Sequence, residues 1–290
     1  MKIGLQIPDF TWPGGAAELG PRLTDIVRAA DQGGFEYIAL MDHFFQIGPV
    51  GPIENDMLEA YTALGYIAAH TERATLLTLV TGVIYRHPGI LAKIITTLDV
   101  LSGGRAMLGV GAGWNEEESR GLGIPFASTR QRFEELEDAL KLALRMWQGD
   151  ASAFEGTHVH AERPLNVPQS LTRPHPPIMI GGGGEQKTLR FVARYAQACN
   201  LFAGPDLARK LDVLREHCER EGRDYNDIEK TVYYIFDPGD QGEQADKVID
   251  DLKGLADLGV DTAIGQVRDV WKISPVQAIA ERVIPAVAEF

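Results

Sequence analysis

Short apolar runs alternate with longer stretches of helical periodicity from one end of this chain to the other, and no other feature limits its fold so strongly. Residues 2–7 read as a strand. Leu19, Leu23, Ile26, Val27 and Ala30 then recur at helical spacing until Gly33-Gly34 stops them. Further strands are predicted over 37–41, 75–80, 106–110, 178–180, 198–202, 228–236 and 261–264. Between them lie predicted helices over 58–70, from Pro88 to the Ser102-Gly103-Gly104 stop, and from the capping box Ser128-Thr-Arg-Gln131 through Trp147. Others cover 185–195 and 207–221, and Val248, Leu252 and Leu255 mark one more. A last helix over 276–289 contains Pro285 and should kink or end early there. Such alternation demands parallel strands joined by crossover helices. Roughly eight such units in 290 residues fit a single-domain (β/α)8 TIM barrel over 1–290, with a doubly wound open sheet as the second choice. Residues 150–177 break the rhythm with Phe154-Glu-Gly-Thr-His-Val-His160, hairpin-like, and a proline-rich stretch ending at Pro177. They read as an insertion over one end of the barrel.

Hydrophobic content of 44% with 24% charge fits a globular protein with a sizeable core. The net charge of −13 argues against nucleic acid or an anionic membrane as a main partner. It favours a small-molecule substrate that is neutral, or an anion met by local basic residues. The two cysteines, Cys199 and Cys218, have no metal-like or redox spacing, which suits a reducing compartment. With no signal-like opening and no membrane-length apolar run, the expected location is cytoplasmic.

In a (β/α)8 barrel the chemistry sits on the loops that follow the strands. The unusual residues of this chain fall there: Asp42-His43, Val80-Thr81-Gly82, Gly111 to Trp114, and Gly181 to Gly184. His43 is the acid/base candidate, because an imidazole titrates near neutrality; the plainer account is a loop histidine packed among Phe44 and Phe45. Gly181 to Gly184, followed by Glu185-Gln-Lys-Thr188, reads as a backbone nest at a helix start, a place for phosphate or else a flexible turn. Lys187 and Arg190 either assist it or face solvent. Gly109, Gly111 and Gly113 only superficially match a dinucleotide fingerprint, since Trp114 stands where that spacing needs glycine. Glu116, Glu117 and Glu118 read as helix-start carboxylates favoured by the dipole. His158, His160 and Glu162 would share one strand face, with a solvated hairpin preferred to a metal site.

Met41-Asp-His-Phe44, Thr78-Leu-Val-Thr-Gly-Val83 with Arg86-His-Pro88, Gly109-Val-Gly-Ala-Gly-Trp-Asn115 and Ile180-Gly-Gly-Gly-Gly184 together resemble the luciferase-like monooxygenase superfamily. Within it the chain most resembles the branch that uses the deazaflavin coenzyme F420. The resemblance runs through nearly the whole chain and implies a (β/α)8 barrel with insertions. It implies that His43 lies by the reactive ring carbon and that Asp42 lies near the ring. It places Leu79 and Val80 on a bulge, often with a non-prolyl cis peptide, that backs the ring, with Thr81 and Gly82 following. Gly111, Ala112 and Gly113 would flank the ribityl–phosphate tail, and Gly182, Gly183 and Gly184 would bind the phosphate. Two departures stand out: Trp114 replaces the glutamate of the sugar-phosphate dehydrogenase branch, and Ile47 lies near where that branch has a tryptophan. Glucose 6-phosphate is therefore not the expected substrate.

The resulting expectation is a hydride transfer between F420 and a small, partly apolar organic substrate, with His43 handling the proton and Phe44, Phe45 and the 150–177 insertion lining the mouth. The acidic tail of F420 would look to Arg86, His87 and Lys93. An FMN-dependent monooxygenase is the alternative, and a flavin-holding barrel without catalysis is the third reading. A homodimer is expected from the resemblance alone.

Overall fold

A computed structural model describes all residues from Met1 to Phe290. The chain runs β1 (Lys2–Ile7), α1 (Ala16–Gln32), β2 (Tyr37–Leu40), α2 (Ala60–Ala68), β3 (Thr75–Thr78), β4 (Thr81–Gly82), α3 (Pro88–Ser102) and β5 (Leu108–Gly111). It continues through α4 (Glu116–Gly121), α5 (Thr129–Trp147), the small hairpin β6 (Phe154–Glu155) and β7 (His160–Ala161), β8 (Ile178–Gly181), α6 (Thr188–Tyr195) and β9 (Ala198–Phe202). The last part holds α7 (Leu207–Glu221), β10 (Glu229–Tyr233), α8 (Ala245–Asp257), β11 (Thr262–Gln266), α9 (Ser274–Ala278) and α10 (Ile284–Val287).

Every pairing in the main sheet is parallel, in the order β3-β2-β1-β11-β10-β9-β8-β5-β4. β3 and β4 are two pieces of one barrel strand, separated by a cis peptide between Leu79 and Val80. Leu76 bridges Ala106 below that break, and Thr81-Gly82 pair with Val110-Gly111 above it, so β5 meets both pieces and the ring closes. This is the expected (β/α)8 barrel. The predicted single strand over 75–80 is interrupted because the chain turns at residues 79–80.

The period-2 alternation sorts the side chains. Ile3, Leu5, Ile7, Ile38 and Leu40 point outward into the large core beneath the helices. Tyr37, Ala39, Leu77, Met107, Met179, Ala198 and Ile264 fill the barrel interior as a separate cluster. Above them Gln6, Leu79, Asn200 and Phe202 share the inward register on β1, β9 and the bulge. The alternation therefore delivers polar and aromatic groups to the mouth from strands that are apolar lower down.

Three expectations change. Ser128 Oγ accepts the Gln131 amide at 3.3 Å, but the Gln131 side chain bonds Glu135 at 2.9 Å, so only half of the capping box forms. The last helix divides into α9, a wider π turn over Ile279–Val283, and α10, where Pro285 cannot supply an amide to the preceding turn. Residues 150–177 do not line the mouth. They lie between the end of α5 and the start of β8, the opposite end of the barrel from the βα loops. Their contacts are with the flanks: Asn166 to Thr96 on α3 at 3.1 Å, His158 and Val159 amides to Asp138 on α5, and Thr172 to Asp99 and the Gly104 carbonyl. No helix is long and apolar enough to cross a membrane.

Candidate active site at the C-terminal rim

His43 follows β2 and is held by a residue from α4, the short helix beyond β5. Its Nδ1 lies 2.8 Å from Glu118 Oε2, and the same carboxylate accepts the amides of Phe44 and Phe45 (2.9 Å for the latter) and the Tyr85 hydroxyl. Glu118 is 1% exposed. Burial alone would push its pKa up; the hydrogen bonds from His43, Tyr85 and the Phe45 amide outweigh that and hold it below the usual carboxylate value. Burial, reinforced by Glu118, pushes the Tyr85 phenol up, so Tyr85 stays a donor. The His43 ring stands edge-on to Trp114, centroids 5.5 Å apart, and its Nε2 has no protein partner.

Sequence reasoning missed Glu118. It treated three adjacent carboxylates alike, and only burial separates them: Glu116 and Glu117 are exposed. The available signal was Asn115, which caps α4 by accepting the Glu118 amide at 3.2 Å and so fixes Glu118 at the third helical position.

The bulge between β3 and β4 is held from several sides. Gln6 Nε2 donates to the Leu79 carbonyl at 3.1 Å, and the Leu79 amide donates to the Leu40 carbonyl at 2.8 Å. Beneath it, Tyr61, Thr78 and Thr81 hydroxyls form a buried chain, with Tyr61 to Thr81 at 2.6 Å and Thr78 to Thr81 at 2.8 Å. Leu79 and Val80 are partly exposed, whereas Thr81 and Gly82 are buried. The last two support the bulge from behind and do not line the mouth.

The glycines have a second purpose that spacing did not reveal. A Cβ at Gly109 would fall 1.9 Å from the Thr78 carbonyl oxygen, and Cβ atoms at Gly111 and Gly181 would lie 3.2 Å and 2.8 Å from Val80 Cγ2. The bulge presses the Thr78 carbonyl against Gly109 and Val80 against Gly111 of β5 and Gly181 of β8, which leaves little room for a side chain at any of the three. Gly113 and Gly182 take φ of +77° and +120°, which side chains disfavour.

Beyond the strand ends, main-chain amides accumulate without acceptors. Those of Ala112, Gly113, Trp114 and Asn115 donate to no protein atom, and neither do those of Gly183, Gly184, Glu185, Gln186 and Lys187. The two runs leave from adjacent strands, β5 and β8. The second leads into α6, whose cap makes no side-chain hydrogen bond. Contiguous free amides at a helix start form an anion nest.

Most cations near this rim are already matched. Arg86 reaches Asp42 at 2.6 Å and also pairs with Glu59, with its guanidinium 4.7 Å over the Tyr61 ring. Asp42 is 2% exposed; burial pushes its carboxyl up and Arg86 opposes this. It thus faces Arg86. Arg86 is equally withdrawn from any acidic tail; His87 accepts the Gly89 amide, and Lys93 donates to the Val167 carbonyl at 2.6 Å. Arg209 pairs with Glu185 and Asp206, Arg268 with Asp237, and Lys272 with Asp240 and Asp269. Lys210 donates to the Gly183 carbonyl at 2.7 Å, a neighbour of the nest that sequence spacing gave no reason to choose. Lys187 sits 5.3 Å over the Phe133 ring, and Arg190 is exposed. Far from the rim, His158 pairs with Glu134 at 2.8 Å and His160 with Glu155 at 2.7 Å, each committed to a carboxylate on the hairpin or α5.

The sequence profile of the luciferase-like monooxygenase family matches residues 1–271, and the chain belongs to that family. An F420-dependent glucose-6-phosphate dehydrogenase of Kineococcus radiotolerans is 30% identical over 218 residues, which is 73% of this chain and 62% of the relative. The chain thus spans under two thirds of that relative's length. Among solved structures, the coenzyme F420-dependent tetrahydromethanopterin reductase of Methanopyrus kandleri superposes with a TM-score of 0.81 at 18% identity, covering 98% of both chains. A riboflavin lyase with modified FMN and riboflavin gives 0.83 at 15% identity, covering 100% of this chain and 91% of the other. Likenesses of this kind establish the fold.

Proposed function

We propose that the rim binds coenzyme F420 and that the protein moves a hydride between the deazaflavin and a small, uncharged, partly apolar organic substrate. One observation carries this reading: acceptorless amides from Gly183 to Lys187 follow β8, whose Gly181 lies against Val80 of the bulge that Leu79 and Val80 present to the mouth. A planar ring with a phosphorylated tail needs both a wall and a nest, and glycines that exclude Cβ atoms supply room for neither clash nor competitor. The amides of Gly183 and Gly184, beyond Gly182, would hold the phosphate; Gly111, Ala112 and Gly113 would flank the tail. The names of the relatives favour F420 over FMN. When bound, the deazaflavin supplies the hydride donor or acceptor; the chain supplies position and protons. His43 Nε2, free of protein partners, would take or give the proton, while Asp42 acts one step removed by anchoring Arg86.

The substrate side supports a neutral molecule. Trp114 is 60% and Phe202 73% exposed at the ends of β5 and β9, and Phe202 stands edge-on to Tyr233. Matched cations leave little to recruit a sugar phosphate, in keeping with Trp114 and Ile47 at the two departures from that branch. The exposed apolar side chains of Ile90 and Leu101 on α3, with Leu165 and Val167 of the insertion, would suit a homodimer interface.

The test is a titration of purified protein with F420 and with FMN, followed by fluorescence. F420 should bind at least about tenfold more tightly, a difference of about 1.4 kcal/mol; tighter FMN binding would transfer the reading to a flavin monooxygenase. His43→Ala should keep F420 affinity while lowering turnover of an accepted alcohol, ketone or enone by about 10²–10⁴-fold. Unchanged turnover would remove His43 from the chemistry.

A further inference from the structure

Glu118 lies too far into the protein to meet a substrate, yet it takes more hydrogen bonds than any other carboxylate near the rim. It accepts four: His43 Nδ1, the amides of Phe44 and Phe45, and the Tyr85 hydroxyl. An ionised carboxylate is acceptor-only, so the atom facing it on His43 must carry a hydrogen. The hydrogen bonds from His43, Tyr85 and the Phe45 amide favour the charged form, and the pKa of Glu118 is lowered despite burial.

We infer that Glu118 is a positioning residue for His43: it holds a hydrogen on Nδ1, fixes the ring, and thereby leaves Nε2 as the only ring atom that exchanges a proton at the mouth. This rests on the proposed role of His43 in proton transfer. When Nε2 receives a proton from a substrate O–H, the imidazole becomes an imidazolium. The charge forms 2.8 Å from a carboxylate already in place. In the reverse direction the same carboxylate keeps the ring from turning its Nδ1 outward. A carboxylate behind an imidazole sets both tautomer and orientation, and exchanging it for an amide reverses the tautomer. Tyr85 belongs to the arrangement because it donates to the same oxygen as His43, with its own phenol held in the donor form. Nothing in the spacing of the chain announced this pairing. His43 and Glu118 are separated by 75 residues and meet only where the loops after β2 and β5 converge.

The alternative is a purely structural anchor for the turn at residues 43–45. Glu118→Gln separates the two. Its carbonyl oxygen can still accept the Phe44 and Phe45 amides, so the turn is kept, whereas its NH2 replaces an acceptor with a donor toward Nδ1. The readout is 15N-resolved imidazole NMR of the cofactor-free protein with His43 neutral, the signal assigned by its loss in His43→Ala. Wild type should show hydrogen on Nδ1 in at least about nine molecules of ten, and Glu118→Gln should reverse the preference, a population shift of about 10²-fold. Tyr85→Phe keeps the carboxylate and should leave the wild-type tautomer in place. A folded Glu118→Gln protein with an unchanged tautomer overturns the inference, as does wild type carrying its hydrogen on Nε2. F420 titration of the same samples keeps the two readings apart. Binding with an unmoved tautomer removes Glu118's role alone; a reversed tautomer without F420 binding upholds Glu118 and removes the cofactor reading.

Discussion

Val80 shows how one side chain dictates its neighbours' identities. Its methyl groups would lie 3.2 Å and 2.8 Å from Cβ atoms added at Gly111 and Gly181, and the backbone turn it belongs to puts the Thr78 carbonyl against Gly109. Gly181→Ala should therefore destabilise the protein by about 1–3 kcal/mol through overpacking. Adding Val80→Ala should recover part of that loss, because residues in direct contact are not additive. Equal, additive losses in urea unfolding would show that Val80 is not the obstacle. At this scale the sequence was legible in part. It drew attention to His43 and the glycines, and to Leu79 and Val80 through the family resemblance. It gave glycine a ligand-facing reason where a protein-facing one also operates, and it hid Glu118 among three like residues. Burial cannot be seen in a run of identical letters.

Between elements, single polar residues act as staples. Asp31, near the end of α1, accepts the amides of Glu72, Arg73 and Ala74 just before β3. Burial would raise its pKa, but these amides and the Arg105 charge keep it lowered. Because folding lowers this pKa, the stabilisation is complete above the unfolded value of about 4 and is lost as pH falls through the folded value. Asp31→Asn should cost about 1–3 kcal/mol at pH 7, and the gap to wild type should shrink in urea titrations at pH 3. A gap of the same size at both pH values would count against the staple. The elements themselves were largely foreseeable, since apolar periodicity sets their type. Their ends were less so. β3 stops early at the cis peptide, and the final helix loosens into a π turn ahead of Pro285.

For the molecule as a whole, chain order within a barrel decides which end a segment occupies. Residues after a strand reach the mouth; those after a helix, such as 150–177, reach the opposite end, and this corrected the insertion's expected place. The proposed homodimer belongs to this scale as well. Leu101 is 73% exposed on α3, so Leu101→Glu should shift the mass seen by light scattering from twice the 31.8 kDa chain to the single chain; a wild-type monomer at micromolar concentration would dismiss the assembly. By itself, the sequence determined the alternation of strand and helix, hence a parallel α/β fold in which a barrel was preferred to an open sheet, and the presence of glycine-rich strand ends. Those follow from local periodicity and backbone freedom, which each short segment carries alone. Only the tertiary structure decided that Glu118 faces His43, that Asp42 turns to Arg86, and that Val80 fills the glycines' space. Those pairings join residues far apart in the chain, and only closure of the ring brings them within hydrogen-bond or van der Waals distance.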